Sequence, residues 1–165
     1  MGEWDRDKVR IIITGEKGIG KTAVCEKVVN EIRIRDEMRV GGILCPDTEV
    51  GKEIVDIASG EEAEFADRKG NGGYAIKSEG IRFGIAAIER ALNLDLVVID
   101  EIGPLEFKGN GNGFSDILKE VLKKDRVIIV VRSSLCPRFV ERFGNDFRIF
   151  EVREANRDGI WKEIV

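Results

Sequence analysis

The chain has no histidine at all, only three cysteines in 165 residues, and no long apolar run. Each shortage closes a class of chemistry. Without imidazole there is no serine–histidine or cysteine–histidine catalysis, and no histidine-containing zinc or haem site. Cys25, Cys45 and Cys136 are odd in number, far apart and form no CxxC pair. They read as reduced, mostly buried small hydrophobes. No apolar stretch approaches the length of a membrane span. The opening residues, Met1-Gly2-Glu3-Trp4-Asp5-Arg6-Asp7-Lys8, are too charged for an export segment, so a cytoplasmic location is the default expectation. A net charge of −4 argues against broad nucleic-acid binding, because backbone affinity needs an excess of lysine and arginine.

What is present is concentrated in a few places. A hydrophobic fraction of 42% with 35% charged residues describes a soluble globular chain. Its length suits one domain with a sizeable core, taken here as residues 1–165. The most informative string is Gly15-Glu16-Lys17-Gly18-Ile19-Gly20-Lys21-Thr22, a complete GxxxxGKT followed by Ala23. Its glycines let a loop curl so that successive backbone N–H groups face phosphate oxygens, and the following helix N-terminus adds partial positive charge. Lys21 can reach the β- and γ-phosphates, and the Thr22 hydroxyl can ligate Mg²⁺. The string needs a strand before it and a helix after it. Arg10–Thr14 is β-branched and apolar, as a buried parallel strand should be. Val24, Val28 and Ile32, with Cys25 and Val29 beside them, make a helical stripe.

Further along, Val40–Cys45 reads as a strand closed by Pro46 and Asp47. Glu53–Ala58 and Ala63–Ala66 flank a Ser59-Gly60 turn and predict an antiparallel hairpin. Lys69–Gly73 is a loop before a short strand at Tyr74–Ile76. Ser78 is the expected N-cap of a helix marked by Ile81, Ile85, Ile88 and Leu92. Asp95–Asp100 is a strand, and a glycine-rich loop at 109–113 leads to a helix over Asp116–Lys124. Arg126–Val131 is a buried strand, Pro137–Phe143 a helix, Phe147–Val152 a strand and Asn156–Val165 a terminal helix. Alternating strands and helices imply an α/β fold, a mostly parallel sheet covered on both faces with the hairpin added.

Val97-Val98-Ile99-Asp100-Glu101 has the form of a Walker B segment. At the carboxyl end of a parallel strand, Asp100 can hold Mg²⁺ alongside Thr22. A carboxylate directly after it, Glu101, suits orienting and deprotonating an attacking water. Arg132, which follows strand 126–131 with Ser133 and Ser134, could contact the γ-phosphate, with Arg138 and Arg142 as alternatives from a closing segment. The glycine-rich runs 69–73 and 109–113 could cover the nucleotide or merely connect.

The phosphate loop, Val97-Val98-Ile99-Asp100-Glu101-Ile102-Gly103-Pro104-Leu105-Glu106, and Asn156-Arg157-Asp158 together resemble the small P-loop nucleoside-triphosphatase family, which includes the cancer-related nucleoside-triphosphatase. The resemblance implies a RecA-like α/β fold and Mg²⁺-dependent hydrolysis of ATP, GTP and other nucleoside triphosphates. By position it implies phosphate and metal binding by Gly15, Gly18, Gly20, Lys21 and Thr22, and completion of the metal site by Asp100. It also implies water activation by Glu101 with support from Glu106. The chain departs from the family pattern at 40–45, across 47–80 and at the 109–113 insertion. Two other readings of the residues stand beside hydrolysis: a P-loop kinase with a small-molecule acceptor, and a nucleotide-dependent switch or energy-coupling subunit whose protein partner sets its turnover.

Overall fold

The computed structural model describes residues 7–36, 38–102 and 114–165. In order, these form β1 (Val9–Gly15), α1 (Lys21–Asp36), β2 (Val40–Leu44), β3 (Gly51–Asp56), β4 (Glu62–Arg68), β5 (Tyr74–Ile76) and α2 (Ser78–Ala91). There follow β6 (Leu96–Ile102), α3 (Ser115–Val121), β7 (Arg126–Arg132), α4 (Cys136–Phe143), β8 (Arg148–Val152) and α5 (Trp161–Ile164). The strands lie in one sheet in the order β5-β4-β3-β2-β6-β7-β1-β8. From β2 to β8 every pairing is parallel, and from β2 to β5 every pairing is antiparallel.

The β-branched runs explain the parallel part. In β1, Ile11 and Ile13 face one side and Ile12 the other, and all three are buried. Ile11 and Ile13 pack with Val24, Cys25, Val28 and Ile32 of α1 and with Ile160 and Ile164 at the C-terminus. Ile12 packs with Ala87 and Ile88 of α2, Leu118 of α3 and Phe139 of α4. The sheet therefore has helices on both faces, and each fully buried isoleucine contributes about 1.5–3 kcal/mol of burial. Cys25, Cys45 and Cys136 are buried and form no disulfide among the described residues, as their isolation in the sequence implies.

The antiparallel limb is larger than the expected hairpin, because β5 adds a third strand through Ala66↔Ile76, Asp67↔Ala75 and Arg68↔Tyr74. Its placement matters for function. β3 meets β2 only through Ile43↔Asp56 and Leu44↔Val55, so Gly51–Ile54 stands beyond the carboxyl end of β2.

Two expectations are corrected. Ser78 is the first residue of α2 and not its cap. Lys77 occupies the cap position with extended backbone (φ −93°, ψ 129°) and no side-chain cap bond. The terminal helix is confined to Trp161–Ile164. Ahead of it, Asn156 diverts the backbone: its Oδ1 accepts from the Arg153 amide at 2.7 Å and its Nδ2 donates to the Glu151 carbonyl at 3.0 Å, which favours a turn over a helix. This is the structural part played by Asn156. Glu106 and the 109–113 loop lie outside the described residues.

Candidate active site

The site forms at the carboxyl end of the parallel strands, where a ligand crevice is expected. β1 ends at Gly15, paired with Arg132 of β7 and Val152 of β8. The chain then turns through Glu16–Gly20, with the Ile19 amide donating to the Glu16 carbonyl at 3.2 Å, and enters α1 at Lys21. Gly18 (φ 78°) and Gly20 (φ 107°) hold backbone conformations that side chains resist, which is why the loop is written in glycine. Glu16, Lys17 and Gly18 are exposed, Ile19 and Gly20 half-buried, and Ala23 faces outward from the first turn of α1. Lys21 is buried and donates to the Glu16 carbonyl at 2.6 Å, its ammonium across the mouth of the loop. Burial holds its pKa below the ordinary lysine value, against the pull of Glu101 and Asp100.

β7 separates β1 from β6, yet the two halves of the site touch. The Thr22 hydroxyl donates to Asp100 Oδ2 at 2.8 Å, and the Cys45 amide donates to the same oxygen at 2.9 Å. Asp100 Oδ1 is buried with no hydrogen-bond partner among the described residues. Burial raises the Asp100 carboxyl to about 6, with the two hydrogen bonds opposing and the Glu101 charge adding to the rise. An orphaned, buried carboxylate oxygen beside a hydroxyl is a set of hard oxygen donors that suits a hard divalent cation. Among the described residues no group of three or more His, Cys, Asp or Glu could hold a metal. Such a cation would rely on phosphate and water oxygens for the rest of its shell, as Mg²⁺ commonly does.

Glu101 is set apart by its backbone. Ile99 pairs with Ile129 and Ile102 with Val131, so Asp100 and Glu101 together oppose one residue of β7. In this bulge Glu101 has φ 67°, the only positive φ of a non-glycine residue among those described. A bulge re-aims side chains, and strain of this kind persists where the surroundings enforce it. Arg132 ends β7, half-buried and near enough to Lys21 to lower its pKa. Arg138 and Arg142 lie on α4, which packs on the sheet face opposite α1.

A second group of residues reaches the site from the antiparallel limb and was not singled out in the sequence. Lys52 of β3 is only 8% exposed, with its Nζ 3.1 Å from Glu101 Oε1 and 3.1 Å from Asp47 Oδ1. Burial works against its charge, and the two carboxylates outweigh it and hold the pKa above the ordinary value. Tyr74 donates to Asp47 Oδ1 at 3.1 Å, and Lys17 of the loop donates to the Gly72 carbonyl at 3.2 Å. The 69–73 turn thus lies against the phosphate loop. One signal could have found Lys52: in β3, Lys52, Ile54 and Asp56 alternate on the buried side of the strand.

A glycine loop between β1 and α1, facing an acidic pair at the end of β6, defines a P-loop nucleotide-hydrolase type of fold. The comparisons agree. The profile of the NTPase family matches residues 10–165, and the chain belongs to that family. It is 30% identical over 166 residues to the nucleoside-triphosphatase THEP1 of Archaeoglobus fulgidus, covering 94% of this chain and 96% of the relative. To the nucleoside-triphosphatase THEP1 of Methanopyrus kandleri it is 38% identical over 170 residues, with 94% and 92% covered. In fold it resembles the crystal structure of THEP1 from the hyperthermophile Aquifex aeolicus, with a TM-score of 0.75 at 23% identity over 94% of this chain and 96% of that one. It likewise resembles the solution structure of a human cancer-related nucleoside triphosphatase, with a TM-score of 0.73 at 19% identity over 94% and 95% of the two chains. Membership implies a divalent metal in general terms. Among the described residues no helix is long and apolar enough to cross a membrane.

Proposed function

We propose that the chain is a Mg²⁺-dependent phosphohydrolase of nucleoside 5′-triphosphates, ATP and GTP among them, releasing the diphosphate and phosphate. It acts as one domain over residues 1–165, in the cytoplasm, and neither a membrane nor a nucleic acid is part of the reading. The observation that carries it is the meeting of loop and acid: the Thr22 hydroxyl on Asp100, with Glu101 turned aside in the bulge that follows.

In this reading the amides of Gly15 to Ala23 receive the phosphates and Lys21 spans the β- and γ-groups. Thr22 and Asp100 would hold Mg²⁺, which would neutralise charge on the phosphate oxygens. Glu101 accepts a proton from water as the water oxygen bonds to the γ-phosphorus, and the bond from that phosphorus to the β,γ-bridging oxygen breaks. Arg132, beside Lys21, takes up charge that develops on the transferred group.

The test is phosphate release from purified protein with ATP, GTP, CTP or UTP, with Mg²⁺ and then with EDTA. Release without a second substrate, abolished by EDTA, is expected. Diphosphate formed only on adding a small hydroxyl acceptor, with the phosphoryl group recovered on that acceptor and no free phosphate, would replace the reading with a kinase. A large rate increase on adding a protein partner would favour a switch.

A further inference from the structure

The reaction described above leaves a buried lysine, Lys52, unused. An isolated lysine ammonium is costly to bury, and a buried ion pair is commonly no more stabilising than apolar residues of the same volume. Lys52 is nevertheless enclosed, and the backbone around it is built to deliver it. Asp47 and Lys52 form a bridge across a short turn, in which the Thr48 amide donates to the Gly51 carbonyl at 2.9 Å and the Gly51 amide to Thr48 Oγ1 at 3.0 Å. Gly51 lets β4 approach, since a Cβ there would lie 1.9 Å from the Ala66 carbonyl oxygen. The β3–β4 register shifts between Lys52 and Glu53, just as the β6–β7 register shifts at Asp100 and Glu101. The bulge in β6 re-aims Glu101, and the Asp47–Lys52 turn carries the ammonium to it. The far side of the ammonium is held by Asp47, which Tyr74 holds in turn, and the Tyr74 ring centroid is 5.3 Å from Nζ.

We propose that Lys52 is a positioning residue for hydrolysis: its ammonium holds Oε1 of Glu101, so that Oε2 is presented to the attacking water. This rests on Glu101 acting as the base in the proposed function. A base held 1 Å out of line can lose about 10²-fold in rate, so orientation of this carboxylate is worth a dedicated cation.

The test uses the full chain and four variants: Lys52→Met, Lys52→Arg, Glu101→Gln and the Lys52→Met/Glu101→Gln double variant. Turnover and KM are measured with Mg²⁺–ATP, single-turnover where slow, and affinity with a fluorescent ATP analogue. Lys52→Met is expected to lower kcat by about 10–100-fold with KM and affinity near wild type. Lys52→Arg, which keeps a cationic donor, should recover most of that loss. In the Glu101→Gln background, Lys52→Met should cost nothing further, because the group it acts through is gone. Wild-type kcat in Lys52→Met, or an equal loss in both backgrounds, overturns the proposal; the latter would make Lys52 act on substrate directly. Far-UV circular dichroism checks folding. Should Lys52→Met not fold, Lys52→Gln, neutral and still a donor, is read by the same criteria. A wild-type protein that releases no phosphate would overturn the hydrolase reading itself. An active wild type with an unaffected Lys52 variant overturns only the part given to Lys52.

Discussion

Strands β1, β2, β6 and β7 carry apolar runs buried on both faces, whereas β4 buries only Phe65 and Ala66 and β3 carries Lys52 and Asp56 inward. The parallel half brings the phosphate loop, Asp100 and Glu101 to one edge by topology alone. The antiparallel limb stands beyond that edge and reaches back over it with Lys52, Asp47 and Tyr74. In the proposed reaction the first region grips phosphates and the second governs the water side. Separating these two contributions by mutation is the way to test the division.

The largest effect is expected at the junction. Glu101→Gln keeps shape and most hydrogen bonding, but an amide is a very poor proton acceptor. Turnover should fall by about 10²–10⁴ while Mg²⁺–ATP still binds, measured by phosphate release against nucleotide affinity. Normal turnover would make Glu101 a bystander; loss of binding with turnover would make it part of the loop's support. Lys21→Ala attacks the parallel half instead. It removes a buried cation whose one side-chain hydrogen bond among the described residues goes to the Glu16 carbonyl, so the fold should remain while kcat/KM falls by about 10²–10³. Here affinity for nucleotide should weaken as well, and that contrast with Glu101→Gln is the discriminating result.

The difference between the regions also explains what could be read from the chain. The loop and the acidic pair are contiguous strings in which each residue type has one mechanical reason, and the apolar runs Ile11–Ile13 and Leu96–Ile99 lead straight into them. Asn156-Arg157-Asp158 resembled a family motif without revealing a role, because the turn made by Asn156 depends on where β8 ends. Lys52 is not legible in the sequence, because a lysine just before Glu53, at the edge of the expected strand, looks like a solvated face. Only the alternation with Ile54 points it inward, and only the folded register brings it to Glu101. β5 was legible as a strand, but its pairing with β4 is a long-range fact.

A stability effect should follow at the root of the limb. Asp56 is buried, accepting from Arg90 Nη2 at 2.8 Å and from the Ala58 amide at 2.9 Å. Burial opposes its ionised form, but the hydrogen bonds from Arg90, Ser59 and Ala58 outweigh that and hold the carboxyl below its ordinary value. Asp56→Asn should therefore lower stability by about 2 kcal/mol at pH 7, read as a shift in the urea midpoint, with turnover of the folded protein retained. Because the folded pKa is depressed, the wild-type advantage is present above the unfolded value of about 3.9 and fades as pH falls through the folded one. The two proteins should converge in acid. A difference that persists there would assign the effect to packing.

The smallest effect tests whether the bulge is a property of the backbone. At φ 67° a Cβ is disfavoured, so Glu101→Gly should be more stable than Glu101→Ala by about 1 kcal/mol. Both variants lose the carboxylate and its bond to Lys52, so their difference isolates the backbone from the ion pair. At Lys52, within an extended strand, the same two substitutions should rank the other way, because glycine there adds freedom to the unfolded chain without relieving strain. Urea midpoints of the four variants give both differences. If alanine is favoured at both positions, the enforced turn at Glu101 is wrong and the parallel half delivers its acid by an ordinary strand end. If glycine is favoured only at 101, the strain belongs to the site, and the limb's part is to hold the carboxylate that the bulge has already turned.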